Sequence, residues 1–377
     1  MTNGSGPGRI AGLDTLRAAA IALVLCYHYM CFVSAAGTFG VASDVGWCGV
    51  DLFFVLSGYL IGNQLLGERV RTGGIALTTF FGRRFLRTLP NYYATLALFL
   101  LFPAAIGGSN LLNVGRFLTF TQNFGMAYGQ TFTHSWSLCI EEQFYVLLPL
   151  VVLLLSALRS SARAAWLVAG GAIATGMALR GAAYFGDGRD AFAASVYYSS
   201  LCRADELVPG VAIAMLKHFH PEAFAAVVRR GNALLLAGIA WVAGVLYCLK
   251  NGWPGPGIST TFGFSLLAAG FALLVLAALD RGSLLSRVRL PGAAPLALWS
   301  YAVYLIHKPV FMALRPQLAR WQLDADAPWV ALGVCAAGIL GGWLLFVLVE
   351  SPCMRLRARW FPQGAQGGRG RLLYVSR

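Results

Sequence analysis

Charge is what this sequence has least of. Only 12% of its 377 residues are Asp, Glu, Lys or Arg, against roughly 25% in soluble domains, and that shortfall excludes a soluble fold of this length. Cysteine supplies no framework either. The eight cysteines, at 26, 31, 48, 139, 202, 248, 335 and 353, form no CxxC pair and no Cys/His metal spacing, so neither a disulfide scaffold nor a metal site is indicated. Most fall in apolar runs, where Cys behaves as a small hydrophobe. There is also no internal repeat of the kind many transporters carry. What the chain does have is apolar length: 58% of it is hydrophobic, in runs near twenty residues, enough to cross about 30 Å of hydrocarbon. The fold class that follows is all-α, a polytopic transmembrane helical bundle.

Read for apolar length, the candidate spans are 18–36, 47–66, 89–107, 137–157, 164–184, 205–217, 232–249, 258–279, 294–314 and 328–350, ten in all. The stretch 108–134, broken by Asn110, Asn113, Arg116, Gln122 and Asn123, reads as an interfacial loop or half-helix. A net charge of +14 is compatible with nucleic acid, but the positive residues sit in the loops between apolar runs, which is the pattern of a basic membrane protein. With the N-terminus cytoplasmic, twenty-one of the twenty-nine Lys and Arg fall on the inner side. That split predicts ten spans with both termini cytoplasmic. Residues 1–36 mimic a secretory signal ending at Val33-Ser34-Ala35, yet the run is long and carries polar residues that look functional, so it is read as a retained span. The expected organisation is one membrane domain over 1–360 and a disordered basic cytoplasmic tail over 361–377.

Ionisable side chains inside hydrocarbon are costly, so each is a pointer to function. Asp14, Arg17 and His28 lie on or near the first span. Arg17 and His28 are eleven residues apart, about three turns, so they share a face and are separated by roughly 16 Å along the axis. A lone membrane histidine is often a packing residue, but Arg17 on the same face argues for chemistry. A second cluster, His134-Ser-Trp136-Ser137-Leu-Cys-Ile-Glu141-Glu142-Gln-Phe-Tyr145, puts two adjacent carboxylates at the entry to an apolar run. Neighbouring helix positions diverge by about 100°, so one of the two is expected to face the interior. The bland alternative is a helix N-terminus favoured by acidic side chains. In the third cluster, Arg84 and Arg87 are three apart before the third span; they suit one phosphate group, or serve topology and anionic lipid. Arg203, Asp205 and Glu206 open the short sixth span, where an Arg–Asp pair is one reading, and His307 lies in the ninth.

Together these clusters resemble the acyltransferase-3 family of integral membrane O-acyltransferases, over Ile10 to about Pro352. The carriers are Leu13-Asp14-Thr15-Leu16-Arg17 with His28, then Gly49-Val-Asp51-Leu-Phe-Phe-Val-Leu-Ser57-Gly58-Tyr-Leu-Ile61, then Arg84-Phe-Leu-Arg87 with Pro90. Trp136-Ser-Leu followed by Glu141-Glu142-Gln-Phe-Tyr145, Tyr304-Leu-Ile-His307-Lys-Pro309 and Glu350-Ser-Pro352 complete the set in the family's order. Thr15, where Gly is usual, and Cys139, where Ser is common, are the departures. The resemblance implies transfer of an acyl group, often acetyl, from acyl-CoA to a hydroxyl of a carbohydrate-type acceptor: lipopolysaccharide, exopolysaccharide, another glycoconjugate or a macrolide sugar. It implies the form lacking the esterase-like domain of some relatives, in a bacterial cytoplasmic membrane, with no tightly bound cofactor, no metal and no nucleic acid partner. Arg17, Arg84 and Arg87 are then the expected holders of the donor phosphates. His28 is the expected general base or acyl carrier, oriented by Glu142 or Glu141. Asp14, Ser57, Trp136, Arg203, Asp205 and His307 are expected as substrate-contacting or structural polar residues. A proton-coupled secondary transporter and a non-catalytic scaffold are the rivals from other classes.

Overall fold

The computed structural model describes residues 10–106, 113–187 and 191–362. It is all-helical, 82% helix, with no strand among the described residues. Ten helices overlap the expected spans: α1 (Ala11–Tyr29), α2 (Cys48–Thr72), α3 (Leu77–Leu101), α4 (Trp136–Ala157), α5 (Ala162–Asp187), α6 (Val208–Phe219), α7 (Gly231–Asn251), α8 (Pro256–Leu279), α9 (Ala293–Arg320) and α10 (Pro328–Leu345). A shorter helix, α11 (Ser351–Trp360), continues from α10 through a π-helical turn.

Seven of these helices are long and apolar enough to cross a membrane by length and composition, and the protein is an integral membrane protein. An eighth span is made if α6 is joined to the helix Pro221–Val228, from which it is bent by 118°. α6 has 12 residues, about 18 Å of helix at 1.5 Å per residue, too short to span alone. α3 and α9 fail on composition, because they bring the polar residues of the site into the bundle. α3 also corrects an expected boundary. It begins at Leu77, not 89, so Arg84 and Arg87 lie two turns inside a helix rather than before one. The basic tail expected over 361–377 lies outside the described residues from 363 onward.

α2 and α8 form the centre: 72% and 67% of the residues in their most apolar stretches are buried, against 6% in α5 and α7. α1 packs between α2 and α9, α2 against α6, α8 against α7, and α10 against α9. Lipid is as apolar as leucine, so helices in a bilayer associate through close packing of small residues. The α2–α6 contact is built that way. Gly58 meets the backbone of Leu207, Gly62 meets Val211 and Ala214, and Gly210 lies against Val55 and Tyr59. α2 then stops at Gly73, whose left-handed φ of +78° lets its N–H bond Arg69 O at 2.9 Å.

The segment 113–134, expected as part of an interfacial loop or half-helix, is a loop with one short helix, Val114–Leu118, anchored to the bundle by two amides. Buried Gln122 donates to Tyr92 Oη (3.0 Å) and Ser135 Oγ (3.1 Å), and buried Asn123 donates to Tyr198 O (2.9 Å) and Ser200 Oγ (2.8 Å). Polar residues that interrupt an apolar run therefore tie a loop into the bundle, where unpaired amides would be costly.

Candidate active site

Three histidines meet where α1, α9 and the segment before α4 converge. Residues 279 apart in sequence, His28 and His307, stack with ring centroids 4.9 Å apart and an interplanar angle of 11°, and His28 Nδ1 lies 2.7 Å from His307 Nε2. The protons in this pair follow from the next bond. His307 Nδ1 is 3.1 Å from Val303 O, and a carbonyl only accepts, so neutral His307 carries its hydrogen on Nδ1. Its Nε2 therefore accepts from His28 Nδ1, which leaves Nε2 of half-buried His28 as a lone-pair nitrogen. That is the state a general base requires.

His134 joins them, 5.3 Å from His307 between ring centroids. Its position is explained by Pro309. Proline has no N–H, so the carbonyl four residues back loses its intrahelical partner, and His134 Nε2 donates to that carbonyl, Leu305 O, at 2.9 Å. Tyr304 Oη donates to His134 O (2.6 Å) and shares a bond with Ser137 Oγ (2.7 Å). Lys308 Nζ donates to Gln130 O at 3.0 Å and lies over the ring of Phe32, which stacks on His28.

Beside Arg17 of α1 lies a cavity with about 660 Å3 of empty space, lined by Arg17, Ser57, Arg84, Arg87, Glu141 and Tyr304 among others. It unites five of the expected site residues. Arg84 is its centre: Glu141 and Glu142 flank the guanidinium at 3.6 Å on two sides, and its carbon lies 3.6 Å from the Tyr145 ring centroid. Glu141 accepts from Ser57 Oγ (3.2 Å) and Tyr145 Oη (2.6 Å). Arg84 Nε is buried with no hydrogen-bond partner. Glu141 and Glu142, expected to orient His28, are found on Arg84 instead, and the side chain bonded to the His28 ring is His307. Both carboxylates also reach the same guanidinium, where one was expected to turn away.

Beyond Arg84 and Arg87, a second cavity of about 420 Å3 is lined by these two with Arg83 and Arg357, and no carboxylate is among its walls. α11 brings Arg357 there. Its end is fixed by Arg83 Nε donating to Phe361 O (3.0 Å), with the Phe361 ring packed on Gly82, where a Cβ would come within 2.2 Å. Arg357 was not legible as a site residue, because in sequence it is one of several arginines in a terminal segment.

The remaining polar residues form buried ion pairs. Arg203 and Asp205 do not pair. Two residues apart on a helix diverge by about 200°, and each finds its own partner. Arg203 binds Asp51 Oδ1 at 2.8 Å and Glu206 one turn on, all three fully buried, while Asp205 receives both ends of the Arg180 guanidinium at 2.6 and 3.0 Å. The Arg203 guanidinium also lies under Phe264 (3.9 Å), Tyr197 (5.0 Å) and Trp136 (5.2 Å). Asp14 is buried one turn from Arg17 on α1. Among the described residues no group of His, Cys, Asp and Glu is arranged to hold a metal.

An acyltransferase-domain family profile, acyltransferase-3, matches residues 10–347. The chain is 28% identical over 371 residues to the peptidoglycan O-acetyltransferase OatA of Listeria monocytogenes, covering 91% of this chain and 55% of that protein. It is 34% identical over 160 residues to the O-acetyltransferase OatA of Staphylococcus aureus, covering 39% of this chain and 25% of that protein. The chain thus spans about half, or less, of the length of these relatives. No solved structure matches it.

Proposed function

The chain belongs to the acyltransferase-3 family, and from that premise we propose that it moves an acetyl group from acyl-CoA to a hydroxyl of a carbohydrate-type acceptor. The relatives' names, O-acetyltransferase in both and peptidoglycan in one, favour acetyl and a glycan. Lipopolysaccharide, exopolysaccharide and macrolide sugars belong to the same acceptor class. The observation that carries the reading is the His28–His307 pair, whose bond leaves a lone pair on His28 Nε2, set on the same helix as Arg17 of the arginine cavity.

In this account the arginine cavity holds the donor's phosphates. Guanidinium matches phosphate oxygens bidentately, and the Nε of Arg84, which makes no hydrogen bond, and the carboxylate-free walls around Arg83, Arg87 and Arg357 leave donors for an anion. α1 is unbroken from Arg17 to His28, so roughly 16 Å separates the two levels, about the reach of an extended pantetheine arm. The acceptor hydroxyl gives its proton to His28 Nε2 as its oxygen attacks the thioester carbonyl. Collapse of the adduct breaks the C–S bond, and the departing thiolate takes the proton from His28. His307 accepts the His28 Nδ1–H and so holds the ring in the working tautomer, while Lys308 sets positive charge beside the developing oxyanion. Apolar walls keep water from the thioester.

The bundle is proposed to make ten spans with both termini cytoplasmic, in a bacterial cytoplasmic membrane. Of the eight basic residues outside the inner segments, Arg180, Arg203 and Lys308 are buried within the bundle and are not loop charges, which sharpens the bias toward the inner side. The arginine cavities then face the cytoplasm, where acyl-CoA is made, and the histidines lie toward the other face. A transporter needs none of this family's motifs.

The test is transfer of labelled acetyl from acetyl-CoA to a soluble glycan by the purified protein in nanodiscs. Wild type should form an alkali-labile ester, and His28→Gln should lose about 10²–10⁴-fold in kcat, the contribution of a general base. Retention of more than about a tenth of kcat would make His28 a packing residue and sink the mechanism.

A further inference from the structure

On the His28 side of the bundle, away from the arginines, a third cavity with about 930 Å3 of empty space opens between the end of α1, the short helix Val41–Val45, and the junction of α7 with α8. Six of its fifteen lining residues are aromatic, in a chain that is 13% aromatic. Neither the donor nor the histidine chemistry uses it. Resting on the acyl-transfer reading above, we propose that this vestibule is the acceptor site and takes a glycan, one pyranose lying against its aromatic wall with its hydroxyl edge toward Asp44 and Lys250.

Three features support that occupant over a lipid chain. A pyranose ring has an apolar C–H face and a rim of hydroxyls, so it wants flat aromatic surface with polar groups at the edge, the mixed lining of a small-molecule site. The vestibule offers both: Tyr27, Trp47, Tyr128, Tyr197 and Phe264 for the face, and the ion pair of Lys250 Nζ with Asp44 Oδ2 (2.6 Å), itself about half exposed, for the rim. Second, the wall is rigid. Trp47 and Tyr197 each meet Phe264 edge-on, at 6.0 and 6.4 Å, and beneath them the buried Arg203, clamped by Asp51 and Glu206, stacks on Tyr197 and Phe264. A surface fixed from below costs little ordering when a ligand docks. The inward-facing ion pairs thereby gain a role as positioning residues for this wall. Third, the vestibule adjoins the chemistry. Tyr27 lines it and is the residue before His28, with the two rings 5.5 Å apart.

The experiment measures KM separately for acetyl-CoA and for glycan, with the full chain in nanodiscs and a panel of soluble peptidoglycan fragments, delipidated O-polysaccharide and a macrolide glycoside as acceptors. Tyr128 is mostly exposed on a loop and Asp44 is at the surface, so Tyr128→Ala and Asp44→Asn are compatible with folding. Each should raise KM for the accepted glycan about tenfold, the scale of one lost aromatic or polar contact, with KM for acetyl-CoA within twofold of wild type. Tyr247→Ala, exposed on α7 and outside the vestibule, should leave both unchanged. Normal glycan KM in both vestibule variants would overturn the site while leaving the acyltransferase reading in place. Equal rises in both KM values would also overturn it, as damage to the bundle as a whole. Failure of wild type to acetylate any member of the panel would reject the acyltransferase reading, and the acceptor site with it.

Discussion

At the scale of single residues, the chemistry rests on which atom carries a proton. A histidine alone on a membrane helix has two tautomers and little to choose between them. Here the carbonyl of Val303 fixes His307, and His307 fixes His28. In the proposed mechanism His307 therefore acts through His28 and not on the substrate. His307→Gln should lower kcat by roughly 10–100-fold, less than the general-base range of 10²–10⁴, and leave both KM values unchanged. Adding it to His28→Gln should cost nothing further, because residues acting as one unit are non-additive. A double variant much slower than His28→Gln alone would show that His307 has its own contact with the reacting atoms. His28 was legible from its helical phase with Arg17. Its partner was not, since nothing in sequence joins positions 28 and 307, and His134 was visible only as the first residue of a motif whose carboxylates drew the attention.

Elements explain what the residues cannot. Apolar runs made the ten helices readable, although α1 and α3 begin at Ala11 and Leu77, ahead of the runs at 18 and 89. The start of α3 was unreadable for a physical reason. Arg83, Arg84 and Arg87 look like loop charge because they are costly in hydrocarbon, and it takes Glu141, Glu142 and Tyr145 on α4 around Arg84, and the Phe361 carbonyl on Arg83, to hold them on a helix of the bundle. Pairing by sequence proximity failed in the same way for Arg203 and Asp205, whose true partners, Asp51 and Arg180, lie on α2 and α5. Small residues set how close the elements come. A Cβ on Gly58 would sit 1.9 Å from Leu207 O, whereas at Gly171 on α5 it meets nothing within 4 Å. The same substitution should then act oppositely at the two sites. Gly58→Ala should pry α2 from α6 and lower the thermal midpoint of the purified protein. Gly171→Ala should be neutral or raise it slightly, since Ala is favoured over Gly in a helix interior by about 1 kcal/mol. Equal midpoints for the two variants would mean that α2 and α6 do not pack as described.

For the whole molecule, the arrangement is a line: a carboxylate-free arginine cavity, the Arg84 cavity, the histidine pair about three turns from Arg17 along α1, and the aromatic vestibule beyond. Arg84 and Arg87 border both of the first two cavities, and Tyr27 with His28 links the last two stations. Of six exposed tryptophans among the described residues, Trp253, Trp321 and Trp329 lie at helix ends on the vestibule side and Trp360 on the arginine side, as expected of interfacial anchors, while Trp241 and Trp343 lie within α7 and α10. The central claim is that donor and acceptor enter this line from opposite faces and meet at His28. It is tested most directly in sealed proteoliposomes, with labelled acetyl-CoA outside and a soluble glycan acceptor trapped inside. The account predicts that the trapped glycan becomes esterified by wild type and not by His28→Gln. Label appearing only on glycan supplied on the same side as the acetyl-CoA would contradict it.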